Sequence, residues 1–178
     1  VPATISGVRI LAGVEANIIA RDGRIDLPDD TLARLDFVMA GLHEACGYDG
    51  KGVTSNTDAV IAAMHNPRIR AISHPGNPGF PLDYQAVVAA AVATGTALEI
   101  NNSSLSVSRA GSRTNCESLA RIIARENALV VVGSDAHIAQ GVGVFDDALA
   151  LLAAAHVAEE QIVNASLERL LAFLGLGD

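Results

Sequence analysis

The feature that most limits what this chain can fold into is a repeated alternation. Five short apolar runs, at 8–17, 36–44, 70–74, 97–101 and 128–132, are each separated from the next by a turn and a helix-like stretch. Strands joined through helices run parallel, because the chain must cross back over the sheet before it pairs again. Half of the residues are apolar, and the runs consist mainly of Ala, Val, Leu and Ile. Such runs suit strands covered on both faces. The pattern predicts an α/β fold with a parallel sheet. With 178 residues and no linker, low-complexity tract or short repeat, 1–178 reads as a single domain.

Local signals set the expected element bounds. Asp22-Gly23 marks a tight turn, and Pro28 opens a short helix through Leu35. A Gly-containing loop over 48–53 precedes a helix capped by Asn56 or Thr57 and ending near His65. Asp83 caps a helix that Gly95 stops. A long Ser-rich loop over 102–114 carries Arg109 and Arg113, and further helices are expected at 115–126, 144–155 and 166–174. A short turn is expected at 159–163.

Composition excludes several roles. A net charge of -8 argues against a basic nucleic-acid surface, and 3% aromatic residues leave few platforms for base stacking. No run reaches the ~18 apolar residues of a membrane span, and no signal peptide is visible. Cys46 and Cys116 form no CxxC and fit idle thiols in a reducing cytoplasm. Gly141-Val142-Gly143 is a GxG, but Asp146 stands where a dinucleotide fingerprint wants Gly or Ala. The first residue is Val rather than Met, which reads as a processed product or a fragment.

The chemistry sits at the ends of the apolar runs. In a parallel array all strand C-termini lie on one face, so residues far apart in sequence converge there. The runs lead in turn to Glu15, to His43, to His74, and to Asn101 with Glu99 two positions earlier. The fifth leads to Gly133-Ser134-Asp135-Ala136-His137. Each has a plainer reading: Glu15 as a solvated carboxylate, His43 and His74 as core histidines, Asp135 as a turn or helix cap. His74 precedes Pro75 and is expected to be extended. The joint occurrence favours a metal site of imidazole and carboxylate donors, suited to zinc, manganese or iron. Glu15 is the candidate bridge between two ions. A metal pair would clamp a phosphoryl group and supply hydroxide at neutral pH. Arg109 could bind phosphate through a charged fork, or simply face water. His65 and His156, on helices, read as structural.

Together, Gly13-Val14-Glu15-Ala16-Asn17, Gly41-Leu42-His43-Glu44, Ser73-His74-Pro75-Gly76-Asn77-Pro78, Glu99-Ile100-Asn101-Asn102-Ser103-Ser104 and Gly133-Ser134-Asp135-Ala136-His137 resemble the PHP superfamily (polymerase and histidinol phosphatase). The nearest likeness is to its bacterial YcdX-type phosphatases. The resemblance implies a distorted, TIM-like (β/α)7 barrel and up to three metal ions, usually zinc. It implies a cytoplasmic hydrolase that cleaves small phosphate esters through a metal-bound hydroxide, with Arg109 stabilising the developing charge and Asn101 as a further site residue. On that pattern Glu15 bridges two ions, His43 and His74 complete one, Asp135 binds the ion Glu15 shares, and His137 binds the third.

The family's opening His-x-His motif, a following His and an Asp-His pair have no counterpart in this sequence. Five strands replace seven, so the chain reads as a PHP-type domain lacking its first two βα units. One ion then keeps Glu15, His43 and His74, while the others lose ligands and are held weakly or not at all. Two alternatives stay open. The chain could be a metal-poor fragment that folds and self-associates through open barrel edges, or its role could be that of a PHP-type histidinol-phosphatase or 3′–5′ exonuclease.

Overall fold

A computed structural model describes residues 3–50 and 52–176. Lys51, within the expected 48–53 loop, and the extreme ends of 1–178 lie outside the described residues. The chain opens with an antiparallel hairpin, β1 (Thr4–Ile5) and β2 (Val8–Arg9). Ser6 and Gly7 turn it with φ of 51° and 80°, as a two-residue hairpin turn requires. The run at 8–17 is therefore not one strand. The Ile10 amide donates to the Ala3 carbonyl at 2.9 Å, which ties residue 10 to the hairpin, and the main sheet begins at β3 (Gly13–Asn17).

After β3 the chain alternates as its apolar runs predict. A short α1 (Asp29–Leu32) leads to β4 (Phe37–Gly41), α2 (Val53–Met64) to β5 (Ala71–Ile72), and α3 (Tyr84–Thr94) to β6 (Ala97–Asn101). Then come α4 (Ser103–Ser106), α5 (Ser112–Glu126), β7 (Val130–Gly133), α6 (Asp146–Ala154) and α7 (Leu167–Leu174). Asp83 caps α3 by accepting from the Ala86 amide at 3.2 Å, and Gly95 ends it at φ 71°. Asn56 and Thr57 do not cap α2, which starts three residues earlier after Gly52. Both are buried inside the helix and hold a neighbouring loop: Asn56 donates to the Pro81 carbonyl and Thr57 accepts from the Asp83 amide. The expected 102–114 loop is shorter than predicted, because α4 forms within it and α5 begins at Ser112.

Strands β3 to β7 make one parallel sheet in sequential order. Crossovers of a single hand, the rule for parallel strands, carry the helices that connect successive neighbours to the same face. Accordingly α2 packs on α3, α3 on α5, and α5 on α6. Strand alternation sorts the side chains. Val38, Ala40, Ile72, Leu98, Ile100, Val130 and Val132 point into the large helix-side core. The opposite parity carries Ala71, Ala97 and Val131 into a small cluster with Val163, flanked by Phe37, Met39 and Phe173. Removing a core side chain such as Ile100 or Leu98 costs about 2–5 kcal/mol, so the helix-side face is the main source of stability. The other face is free to carry polar groups toward the strand C-termini.

The outer edge of β7 is occupied by the chain itself. Ile162 bridges to Val130, and the Val163 amide donates to the Val130 carbonyl at 2.9 Å. Asn164 then uses its side-chain amide as a peptide unit would. Its Oδ1 accepts from the Val132 amide at 3.0 Å and its Nδ2 donates to the Val132 carbonyl at 2.9 Å. Among the described residues no helix is long and apolar enough to cross a membrane.

Candidate metal centre

Glu15 lies at the centre of β3, on the face away from the helices, and pairs in register with Met39 of β4. Two residues beyond the end of β4, His43 keeps the same parity and reaches the same face. His74 follows β5 but stands on the wrong parity: counted from Ile72, which enters the helix-side core, an extended residue 74 would point toward the helices. The backbone corrects this. His74 has φ 28°, not the extended conformation expected before Pro75. This sparsely populated conformation turns its ring onto the site face.

The result is a tight triangle of donor atoms. Glu15 Oε1 is 2.9 Å from His43 Nε2 and 2.7 Å from His74 Nε2, and the two imidazole nitrogens are 3.0 Å apart. Hydrogen bonds from His43 and then His74 hold the Glu15 carboxyl far below its ordinary range. Both Nε2 atoms turn toward the carboxylate and toward each other, a crowding that suits a shared cation better than a chain of hydrogen bonds. Buried His43 Nδ1 has no hydrogen-bond partner among the described residues. Ligands of a tetrahedral ion with bonds of roughly 2.0–2.1 Å stand about 3.3 Å apart, so these donors need move only a few tenths of an ångström. Two imidazoles and one carboxylate form a ligand set that catalytic zinc sites use with a further position left open. The set of Glu15, His43 and His74 could therefore hold a metal ion.

Small residues make this closeness possible. A Cβ on Gly41 would stand 2.1 Å from Ser73 Oγ and 3.2 Å from His43 Cε1. A Cβ on Gly133 would stand 2.1 Å from Glu99 Oε1.

The remaining predicted residues gather at a second place on the same edge. Asp135, at φ 52°, turns its carboxylate to Arg109, whose Nη1 donates to Asp135 Oδ2 at 2.9 Å. The same nitrogen donates to Ser104 Oγ at 3.1 Å and Ser108 Oγ at 3.2 Å. His137 is 85% exposed and hydrogen-bonds through Nδ1 to the Asp135 carbonyl at 2.9 Å. Asp135 and His137 thus sit beside Arg109 rather than in the Glu15 triangle. A cleft of about 620 Å³ opens over Arg109, Asp135 and His137. His65 and His156 are exposed and take no part.

Between the two places lies Glu99, 5% exposed, which sequence reasoning noticed only as a neighbour of Asn101. Burial pushes its carboxyl up to about 7 against the lowering effect of the His74 amide, which donates to Oε2 at 2.7 Å. The usable signal was a carboxylate in the middle of a run that is otherwise buried throughout. Ser104, also buried, had no signal beyond its place in a Ser-rich stretch.

Over 176 residues the chain is 53% identical to a protein of Syntrophotalea carbinolica named "Probable phosphatase", covering 99% of this chain and 73% of that relative. The chain belongs to the family of these probable phosphatases. A second member, from Caldanaerobacter subterraneus, is 45% identical over 174 residues, covering 98% of this chain and 68% of its own length. A third, from Shewanella oneidensis, is 45% identical over 175 residues, covering 98% and 69%. No family model matches the chain.

Proposed function

We propose that this member of the family is a metal-dependent phosphoesterase of the PHP type, acting on small phosphate monoesters. The observation that carries this reading is the donor triangle of Glu15, His43 and His74, whose atoms lie within 3.0 Å of one another, in a chain whose relatives are named phosphatases. The one-way order of the sheet, with its connecting helices packed against one face, is compatible with part of a PHP barrel. Zinc is the ion the donor set suits best, with manganese and iron as alternatives.

When bound, such an ion supplies Lewis acidity toward a phosphoryl oxygen and a nucleophile from water at neutral pH. The chain's own residues do the rest. Glu15 presents a carboxylate that stays ionised across the working range, and His43 and His74 present imidazole nitrogens from fixed positions. Among the described residues Arg109 anchors through Nη1 alone, which leaves its Nε and Nη2 for a phosphate oxygen in the adjoining cleft. Asp135 holds that guanidinium in place and offsets its charge.

Elemental analysis of the chain after zinc loading and desalting should give about one tightly held ion per molecule, lost in His74→Ala. The loaded chain should release inorganic phosphate from some member of a panel of phosphomonoesters, and chelation should abolish the release. If neither this chain nor a full-length relative, metal-replete, hydrolyses any of the panel, the reading is wrong. Two observations favour a second reading, in which the chain holds an ion without turnover: Asp135 is engaged by Arg109, and the triangle gathers three donors among the described residues. Stoichiometric metal with no phosphate release from the chain, and activity in the relative, would establish it.

A further inference from the structure

The two halves of the site are joined by an unbroken line of hydrogen bonds. The His74 amide donates to Glu99 Oε2 at 2.7 Å, and Asn101 Nδ2 donates to Glu99 Oε1 at 3.3 Å. Asn101 Oδ1 accepts from the Ser104 amide at 3.0 Å and from Ser104 Oγ at 3.1 Å. Ser104 Oγ accepts in turn from Arg109 Nη1 at 3.1 Å, and that nitrogen donates to Asp135 at 2.9 Å. Every link has one sense. With Glu99 ionised, its carboxylate accepts at both oxygens, Asn101 donates to it through nitrogen and accepts through oxygen, and the Ser104 hydroxyl donates to Asn101. No amide flip or hydroxyl rotation satisfies the same set of partners. His74, Glu99, Asn101 and Ser104 are all at most 5% exposed, so water does not compete for these bonds.

The line also explains a conformation that is otherwise unfavourable. His74 must leave strand parity to face Glu15, at φ 28°, and the bond from its amide to Glu99 is what fixes that turn. Gly133 leaves room for the Glu99 carboxylate, since any Cβ there would collide with it.

We propose that Glu99 and Asn101 are positioning residues. With Ser104 they form a buried strut that holds His74 in the donor triangle at one end and Arg109, with Asp135, over the cleft at the other. Glu99 works by accepting the His74 amide, and Asn101 works by tying Ser104, and through it Arg109, to Glu99. The strut itself does not depend on the phosphoesterase reading, but its metal and phosphate consequences do.

Three variants separate the parts. Glu99→Ala removes both links. Glu99→Gln keeps a carbonyl oxygen for the His74 amide but turns a donor toward Asn101. Asn101→Ala leaves the His74 end intact. Amide hydrogen exchange by NMR on the folded, metal-free chain reads the strut directly. The His74 amide should exchange at least about tenfold faster in Glu99→Ala than in the parent, and should stay protected in Glu99→Gln and Asn101→Ala. The Ser104 amide should lose protection in Asn101→Ala. Zinc titration should show an affinity about 10–100-fold weaker for Glu99→Ala, the range for loss of a residue supporting a metal ligand. Glu99→Gln should restore it to within about threefold of the parent, and inorganic phosphate should bind the zinc-loaded Asn101→Ala several-fold more weakly.

Protection of the His74 amide in Glu99→Ala equal to that of the parent would overturn the proposal. Equal zinc losses in Glu99→Ala and Glu99→Gln would also overturn it, since charge rather than positioning would then matter. Should Glu99→Ala fail to fold, an unprotected His74 amide in Glu99→Gln is the overturning result. A parent that binds no zinc would refute the metal reading, and the exchange data would still decide the strut.

Discussion

Glu99 sits in surroundings unusual for its type, buried in the middle of β6. Ordinarily a glutamate carboxyl ionises near 4.5, and burial in β6 pushes this one up to about 7. Between those two values the unfolded chain has released the proton and the folded chain still holds it. Stability therefore falls as pH rises through that window and levels off above it. Melting curves of the metal-free chain and Glu99→Gln should show the parent losing ground to the variant between pH 4.5 and 7. A constant difference across the window would contradict the assignment. Glu15, shifted the other way by its histidine partners, has its effect below 4.5 and leaves this window undisturbed. Gly133 is the steric counterpart. With an added Cβ only 2.1 Å from Glu99 Oε1, Gly133→Ala must displace a buried, hydrogen-bonded carboxylate. Overpacking of that kind costs about 1–3 kcal/mol, readable as a lower denaturant midpoint, and zinc binding should weaken with it.

Among the elements, α3 and β6 were fully legible and β5 was not. For α3 the sequence supplies both ends, an Asp whose side chain takes a free amide and a Gly that turns left-handed. Asp83→Ala should cost about 1 kcal/mol in thermal or chemical unfolding, as loss of an N-cap does. Burial on both faces leaves a continuous apolar signal for β6 and β7, and polar residues at the run ends displayed Glu15, His43 and His74. What spacing could not show was the turn at His74. Proline at 75 argued for extension, and the bond that overrides it comes from Glu99, 25 residues away. The start of α2 was missed because a glycine at 52 opens it, while the obvious caps, Asn56 and Thr57, are used to hold the loop around Pro81 and Asp83. The sequence leaves Asp135 open as a metal ligand or a cap, and in the fold its carboxylate is turned to Arg109. Side chains that bond across the fold leave no periodic trace.

For the molecule as a whole, the one-way order of the sheet separates stability from chemistry. One face carries the aliphatic side chains against the helices, and the other, at the strand C-termini, carries the carboxylates and imidazoles. A substitution in the helix layer should alter unfolding with little effect on metal binding. The same order leaves two terminal strands, β3 and β7, and an unpaired strand edge is a template on which another chain can add. The amide of Asn164 answers that hazard at β7. By engaging both main-chain groups of Val132 it works as a chain terminator, ending the ladder with a group that offers no further backbone to extend. Asn164→Ala should reopen the template, and light scattering should then report concentration-dependent growth in mass at a pH and salt where the parent holds a fixed size. An unchanged mass would show that Ile162 and Val163 close the edge without it. One carboxamide thus completes, beside Ile162 and Val163, the closing of this edge, much as a chain-terminating nucleotide ends a growing polymer.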